Sequence, residues 1–76
     1  MKNNIFSIID DKYDNLSKTH KKIADFVKEN IHIIPFLSIK ELGGKSDASI
    51  ASITRFTREL DFNGYAEFQK KVSERV

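Results

Sequence analysis

The chain has 76 residues, with 13 Lys and Arg against 11 Asp and Glu, one Pro, no Cys and no Trp. A chain this short buries only roughly 60% of its unfolded surface, which allows one small domain and excludes a separate cofactor domain or a deep substrate cavity. Without Cys there is no disulfide scaffold, no thiolate zinc site and no thiol chemistry, so helix packing must carry the fold, alone or with a partner chain.

Apolar spacing is helical almost throughout. Ile5, Ile9, Tyr13 and Leu16 follow at steps of four, four and three, and Phe6 and Ile8 widen the stripe. Ser17 can cap a second helix that buries Ile23, Phe26, Val27 and Ile31. Pro35 stops it. The β-branched run from Ile31 to Leu37 reads as a buried helix end and turn rather than a strand. Ser38-Ile39-Lys40-Glu41 is a capping box, which opens a short helix carrying Ile39 and Leu42. Gly43-Gly44 should weaken and end that helix. Ser49 can cap the next, with Ile50, Ile53, Phe56, Thr57 and Leu60 on one side. Asp61-Phe62-Asn63-Gly64 is a turn by its Asn-Gly pair. A last helix carries Tyr65, Phe68 and Val72 and runs to Val76 without a stop signal, as if the domain belonged to something longer. The expected architecture is an all-α bundle of five helices in a single domain.

The segment from Ser38 to Leu60 is the informative one. A helix-turn-helix joins two helices that cross at about 90–120° through a turn of three or four residues. It needs a small residue where the helices pass closely, and Gly43 stands there. It needs a turn residue that tolerates positive φ, and Asp47 occupies that place. On a helical wheel, Ala51, Arg55 and Arg58 lie opposite the apolar face, flanked by Ser52 and Thr54. This surface is short, hydroxylated and basic. Small side chains let such a helix enter a major groove, where Arg can bond guanine O6 and N7 together. Asp47 is the single acid between Ser46 and Arg58, and Glu59 and Asp61 lie at the far end, where a recognition helix leaves the groove.

Three stretches then carry a specific resemblance: Phe36-Leu37-Ser38-Ile39-Lys40-Glu41-Leu42, Ser49-Ile50-Ala51-Ser52-Ile53-Thr54-Arg55-Phe56, and Leu60-Asp61-Phe62-Asn63-Gly64-Tyr65-Ala66-Glu67-Phe68. With Leu16-Ser17, Ile23-Ala24-Asp25-Phe26-Val27 and Asn30 upstream, the chain resembles the N-terminal domain of the RpiR family of phosphosugar-responsive transcription regulators. The resemblance implies a homeodomain-like, dimeric DNA-binding domain over residues 1–76. It also implies a downstream sugar-isomerase-like domain, absent from these residues, that binds the phosphosugar effector. Ser49, Ala51, Ser52 and Arg55 map onto the family's recognition-helix motif. Gly64-Tyr65 matches its following turn, with a phosphate-backbone contact implied. Two departures from the family stand out: Asp47 replaces the Gly or similarly permissive residue usual in the turn, and Gly43-Gly44 replaces a more helical pair.

The expected function is sequence-specific transcription regulation of sugar or amino-sugar genes, without enzymatic activity or a cofactor. The expected partner is double-stranded DNA with a palindromic operator. Ser49, Ser52 and Arg55 are the candidate base readers, with Ala51 and Thr54 on the same surface. Lys45 and Arg58 are candidate phosphate contacts, and Ser46 completes the basic, hydroxylated segment. Ser38 can offer a helix N-terminus to a phosphate, or serve as a plain cap. Arg55 can equally be an ordinary solvated residue, and Lys70 and Lys71 read as a wet face. Ile5, Phe6, Ile8 and Ile9 are either packing for the second helix or a homodimer contact.

Other chemistries find little support. Gly44-Lys45-Ser46 lacks the earlier Gly and the preceding strand of a phosphate-binding loop. His20 and His32 have no partner set for a metal. No apolar run approaches the roughly 18 residues of a membrane span, and the start of the chain is not a signal peptide, so a cytoplasmic location is expected. The net charge of +2 permits nucleic-acid binding without arguing for it. The rival reading is a helical module that docks another protein through its aromatic and isoleucine surface.

Overall fold

A computed structural model describes residues 4–74. It holds five α-helices: α1 (Ile5–Lys12), α2 (Lys18–Glu29), α3 (Ile39–Ser46), α4 (Ile50–Glu59) and α5 (Tyr65–Ser73). Two short 3₁₀ turns, Tyr13–Asn15 and Ile34–Phe36, follow α1 and precede α3. The described residues are all helix and loop, which is the expected class.

Capping decides most of the starts. Asn4, Ser17, Ser38 and Ser49 each accept the N–H of the residue three positions on, at 2.9, 3.2, 3.1 and 3.0 Å respectively. At Ser38 the bond is returned, since Glu41 Oε1 accepts the Ser38 N–H at 2.8 Å. The capping box is complete. The first helix is shorter than its apolar spacing implies. Ser17 needs extended backbone to cap α2, so the chain tightens at Tyr13–Asn15 and leaves Leu16 extended but still buried.

The third helix departs further from expectation. It does not end at Gly43-Gly44 but continues through Ser46, and Asp47 closes it in the left-handed region at φ 58° and ψ 49°. The Ala48 N–H then bonds back to the Gly43 carbonyl at 2.8 Å. Packing and the cap outweigh the low helix propensity of two glycines. A second aspartate does the same for α4. Asp61 has φ 71°, its N–H reaches Arg58 O at 2.9 Å, and the Phe62 N–H reaches Thr57 O at 3.0 Å. That pair of bonds is a Schellman motif. The left-handed residue of this turn is therefore Asp61, whereas Gly64 has an extended φ of 166°.

One core joins all five helices, built on Ile5, Ile9, Ile23, Val27, Leu42, Ile53, Phe56 and Phe68. Phe56 and Phe68 meet edge to face with centroids 5.8 Å apart, a favoured aromatic geometry. Ile5 and Ile9 have no solvent exposure at all. They cannot form a dimer contact in this fold, because both are consumed inside the monomer, while Phe6 and Ile8 are half-buried against the same core. Phe36, in the turn before α3, is by contrast 82% exposed. The last helix ends at Ser73 with Glu74 as its cap. Its expected continuation to Val76 falls, in the last two positions, outside the described residues.

Candidate nucleic-acid interface

Helices α3 and α4 form the expected helix-turn-helix. Gly43 sits under the turn, and a Cβ there would lie 2.7 Å from the Ala48 carbonyl oxygen. What passes so closely is the backbone of the turn rather than a side chain of α4. Buried Ile53, Phe56 and Thr57 then fix the inner face of α4, and the Thr57 hydroxyl donates to the Thr54 carbonyl at 2.7 Å.

The outer face is left to solvent. Ser49, Ile50, Ala51, Arg55 and Arg58 are exposed, with Ser52 and Thr54 half-buried beside them. Ile50 is 49% exposed rather than part of the apolar face, because its place at the first turn carries it past the core. The Ser49 hydroxyl accepts the Ser52 N–H and donates to Ser52 Oγ, both at 3.0 Å. Its one proton is thereby used within the cap. The Ser52 hydroxyl keeps its own proton for an outside acceptor. Lys45 is exposed at the end of α3, on the approach to the same helix.

Over residues 3–76 the sequence matches the family model described as "Helix-turn-helix domain, rpiR family". The chain belongs to the rpiR family of helix-turn-helix domains. It is similar to an uncharacterized HTH-type transcriptional regulator of Haemophilus influenzae, 30% identical over 92% of this chain and 24% of the relative. A like-named regulator of Caldanaerobacter subterraneus subsp. tengcongensis is 30% identical over 91% of this chain and 24% of its own length. One of Clostridium perfringens is 30% identical over 79% of this chain and 22% of the relative. The chain thus spans about a quarter of the length of these curated relatives.

Within this rpiR-family domain, not every expected site residue reaches the outer surface. Ser46 does not: it is buried, and its hydroxyl donates to the Leu42 carbonyl at 2.7 Å. Tyr65 turns inward as well. Its hydroxyl donates to the Leu37 carbonyl at 2.7 Å, and burial first, then the negative charge of Glu41, pushes its pKa up to about 12. The phenol is thus spent inside the fold. At Ser38 both the hydroxyl and the N–H are engaged with Glu41, whose carboxylate is held below the usual range by the Ser38 backbone bond first. That negative charge occupies the place a phosphate would take, so Ser38 is a cap. Glu67 plays a similar part at α5, accepting the Asn63 N–H at 2.9 Å beside Gly64.

Gln69 was not legible as a site-supporting residue. Its side-chain amide lies 3.1, 3.1 and 2.8 Å from the carbonyls of Ile34, Pro35 and Leu37. With Tyr65 it ties α5 to the turn that delivers Ser38. A polar residue one step from Phe68 on an amphipathic helix gives no sequence signal of such a role.

Proposed function

We propose that this domain binds duplex DNA as part of a transcription regulator, inserting the outer face of α4 into the major groove. The observation that carries the reading is this face itself: Ala51 and Ser52 small, Arg55 and Arg58 projecting, and no acid among the residues from Ser49 to Arg58. Ser52 and Arg55 read base edges, with the Ser49 backbone and Ala51 setting how closely the helix approaches. Arg58 and Lys45 contact phosphates, which position the domain without specifying sequence. Two copies read a two-fold operator, as paired helix-turn-helix units do. Ile5 and Ile9 being inside the core, the pairing surface must draw on other residues.

The chain's similarity to about a quarter of the length of longer transcription regulators supports its role as the DNA-binding unit of such a regulator. From the family resemblance, the controlled genes concern sugar or amino-sugar use. The response to a phosphosugar would then reside in a sugar-isomerase-like domain outside these 76 residues.

The test is selection of preferred duplexes from a random pool at two salt concentrations, for wild type and Arg55→Ala. A palindromic consensus that degrades in the variant is expected. If nothing is enriched, either alone or with a fused dimerisation module, the DNA-reading role is wrong and the protein-docking alternative takes its place.

A further inference from the structure

The first five residues of α2 include Lys18, His20, Lys21 and Lys22 but no acid. Cations are least favoured at this end of a helix, where the aligned peptide dipoles leave partial positive charge. Such a violation of a local rule is expected where function opposes stability. Lys18 and Lys22 are four residues apart and share one face. Together with Thr19, Lys21 and Asp25 they line an open depression of about 440 Å³.

Among the described residues, the one carboxylate in that lining is turned elsewhere. Both Asp25 oxygens lie against the Tyr13 hydroxyl, at 2.9 and 3.1 Å. Lys21 stands over the same Tyr13 ring, its Nζ 5.5 Å from the centroid. Lys18 and Lys22 are left facing solvent. Lys22 Nζ then locates the depression on the molecule, since it lies 3.6 Å from the exposed carboxylate of Asp47. Asp47 is the turn residue that leads into α4. The His20 ring meets Phe56 of α4 edge-on at 6.1 Å, which holds the start of α2 beside the recognition helix.

We propose that Lys18 and Lys22 hold the DNA backbone beside the groove that α4 enters, as a second phosphate-binding element separate from the helix-turn-helix. The inference rests on the DNA-binding reading above. An exposed pair as long as Lys22–Asp47 is worth little, so exchanging Asp47 for a phosphate costs little. The lysines contribute affinity and no base preference.

The experiment measures binding of a labelled random-sequence duplex by fluorescence anisotropy, across a salt series starting at low salt. Wild type is compared with Lys18→Gln/Lys22→Gln, with Lys18→Arg/Lys22→Arg, and with Lys70→Gln/Lys71→Gln on α5. Each phosphate contact contributes about 0.9 to the slope of log affinity against log salt. The Gln pair on α2 should therefore make the slope shallower by about 1.8, so that affinity falls roughly tenfold less between 50 and 200 mM salt. The Arg pair should keep the wild-type slope, as should the α5 pair. Thermal unfolding of the α2 Gln pair should be no lower than wild type, because dipole repulsion is relieved.

A wild-type slope in the α2 Gln pair overturns this inference alone. So does an equal loss in the α5 pair, which would mark a diffuse charge effect. A wild type without salt-dependent DNA binding overturns both this inference and the reading on which it rests.

Discussion

A Cβ placed on Gly43 would stand 2.7 Å from the carbonyl oxygen of Ala48. Backbone cannot yield as the end of a flexible side chain can, so Gly43 is required by the turn. Its neighbour is in the opposite situation, with nothing among the described residues within 4 Å of a Cβ at Gly44. Gly43→Ala should destabilise by about 1–3 kcal/mol despite its better helix propensity. Gly44→Ala should stabilise by about 0.5–1 kcal/mol. Urea unfolding of both variants checks the pair, and a stabilised Gly43→Ala would contradict the close approach.

Both helices of the motif end on an aspartate in the left-handed region. Glycine adopts that conformation without steric cost. Asp61→Gly should raise stability by up to about 1 kcal/mol, since the exposed Lys12–Asp61 pair that it removes contributes little. Asp61→Ala should lower it. Equal unfolding midpoints for the two variants would count against a left-handed cap.

Tyr65 and Gln69 share the Leu37 carbonyl, at 2.7 and 2.8 Å. Removing either donor leaves the other in place, so Tyr65→Phe should cost only about 1 kcal/mol. The double change with Gln69→Leu should cost more than the sum of the two. The raised Tyr65 pKa also has a sign. The unfolded phenol ionises near 10.0 and the folded one at about 12, so stability is intact below pH 10 and is lost as pH rises between those values. Alkaline unfolding followed by circular dichroism should be weaker in Tyr65→Phe.

The capping box predicts the opposite trend in acid. The Glu41 carboxyl is lowered from 4.5 in the folded state, so its contribution is present above that value and is lost as pH falls below it. Glu41→Gln, which keeps a polar partner without the charge, should flatten the decline in stability at acid pH. An unchanged acid limb would exclude the cap as its source.

Arg55→Ala should cost about 1–3 kcal/mol at one base position and relax the preference there, measured on a selected duplex and its single-base variants. Ser46→Ala should leave affinity untouched, because the Ser46 hydroxyl is buried against the Leu42 carbonyl. Loss of binding in a folded Ser46→Ala would mean that this hydroxyl reaches the DNA after all.

Sequence pattern was most informative where a single local interaction decides the outcome. Ser17, Ser38 and Ser49 cap because a short hydroxyl can reach an unpaired N–H three residues on, and Asp47 turns because few other side chains tolerate that backbone. Pattern failed where distant packing decides. Nothing local says that α3 persists through two glycines, that Tyr65 and Gln69 reach across to the turn before α3, or that Ser46 points inward. The isoleucines of α1 illustrate the same limit. Ile5 and Ile9 look excessive for a short helix until the other helices close over them. The outer face of α4 was legible because a wheel separates it from Ile53 and Phe56, although Ile50 fell on the wrong side of that division.

The open space at Gly44 has a practical consequence, because the sequence contains no cysteine. A Gly44→Cys variant would carry a unique thiol on an exposed position of α3, next to the contact made by Gly43 but outside it. A fluorophore attached there would need no other residue removed first. It would report local opening between the two helices of the motif in real time, on a protein whose native surface is otherwise unchanged.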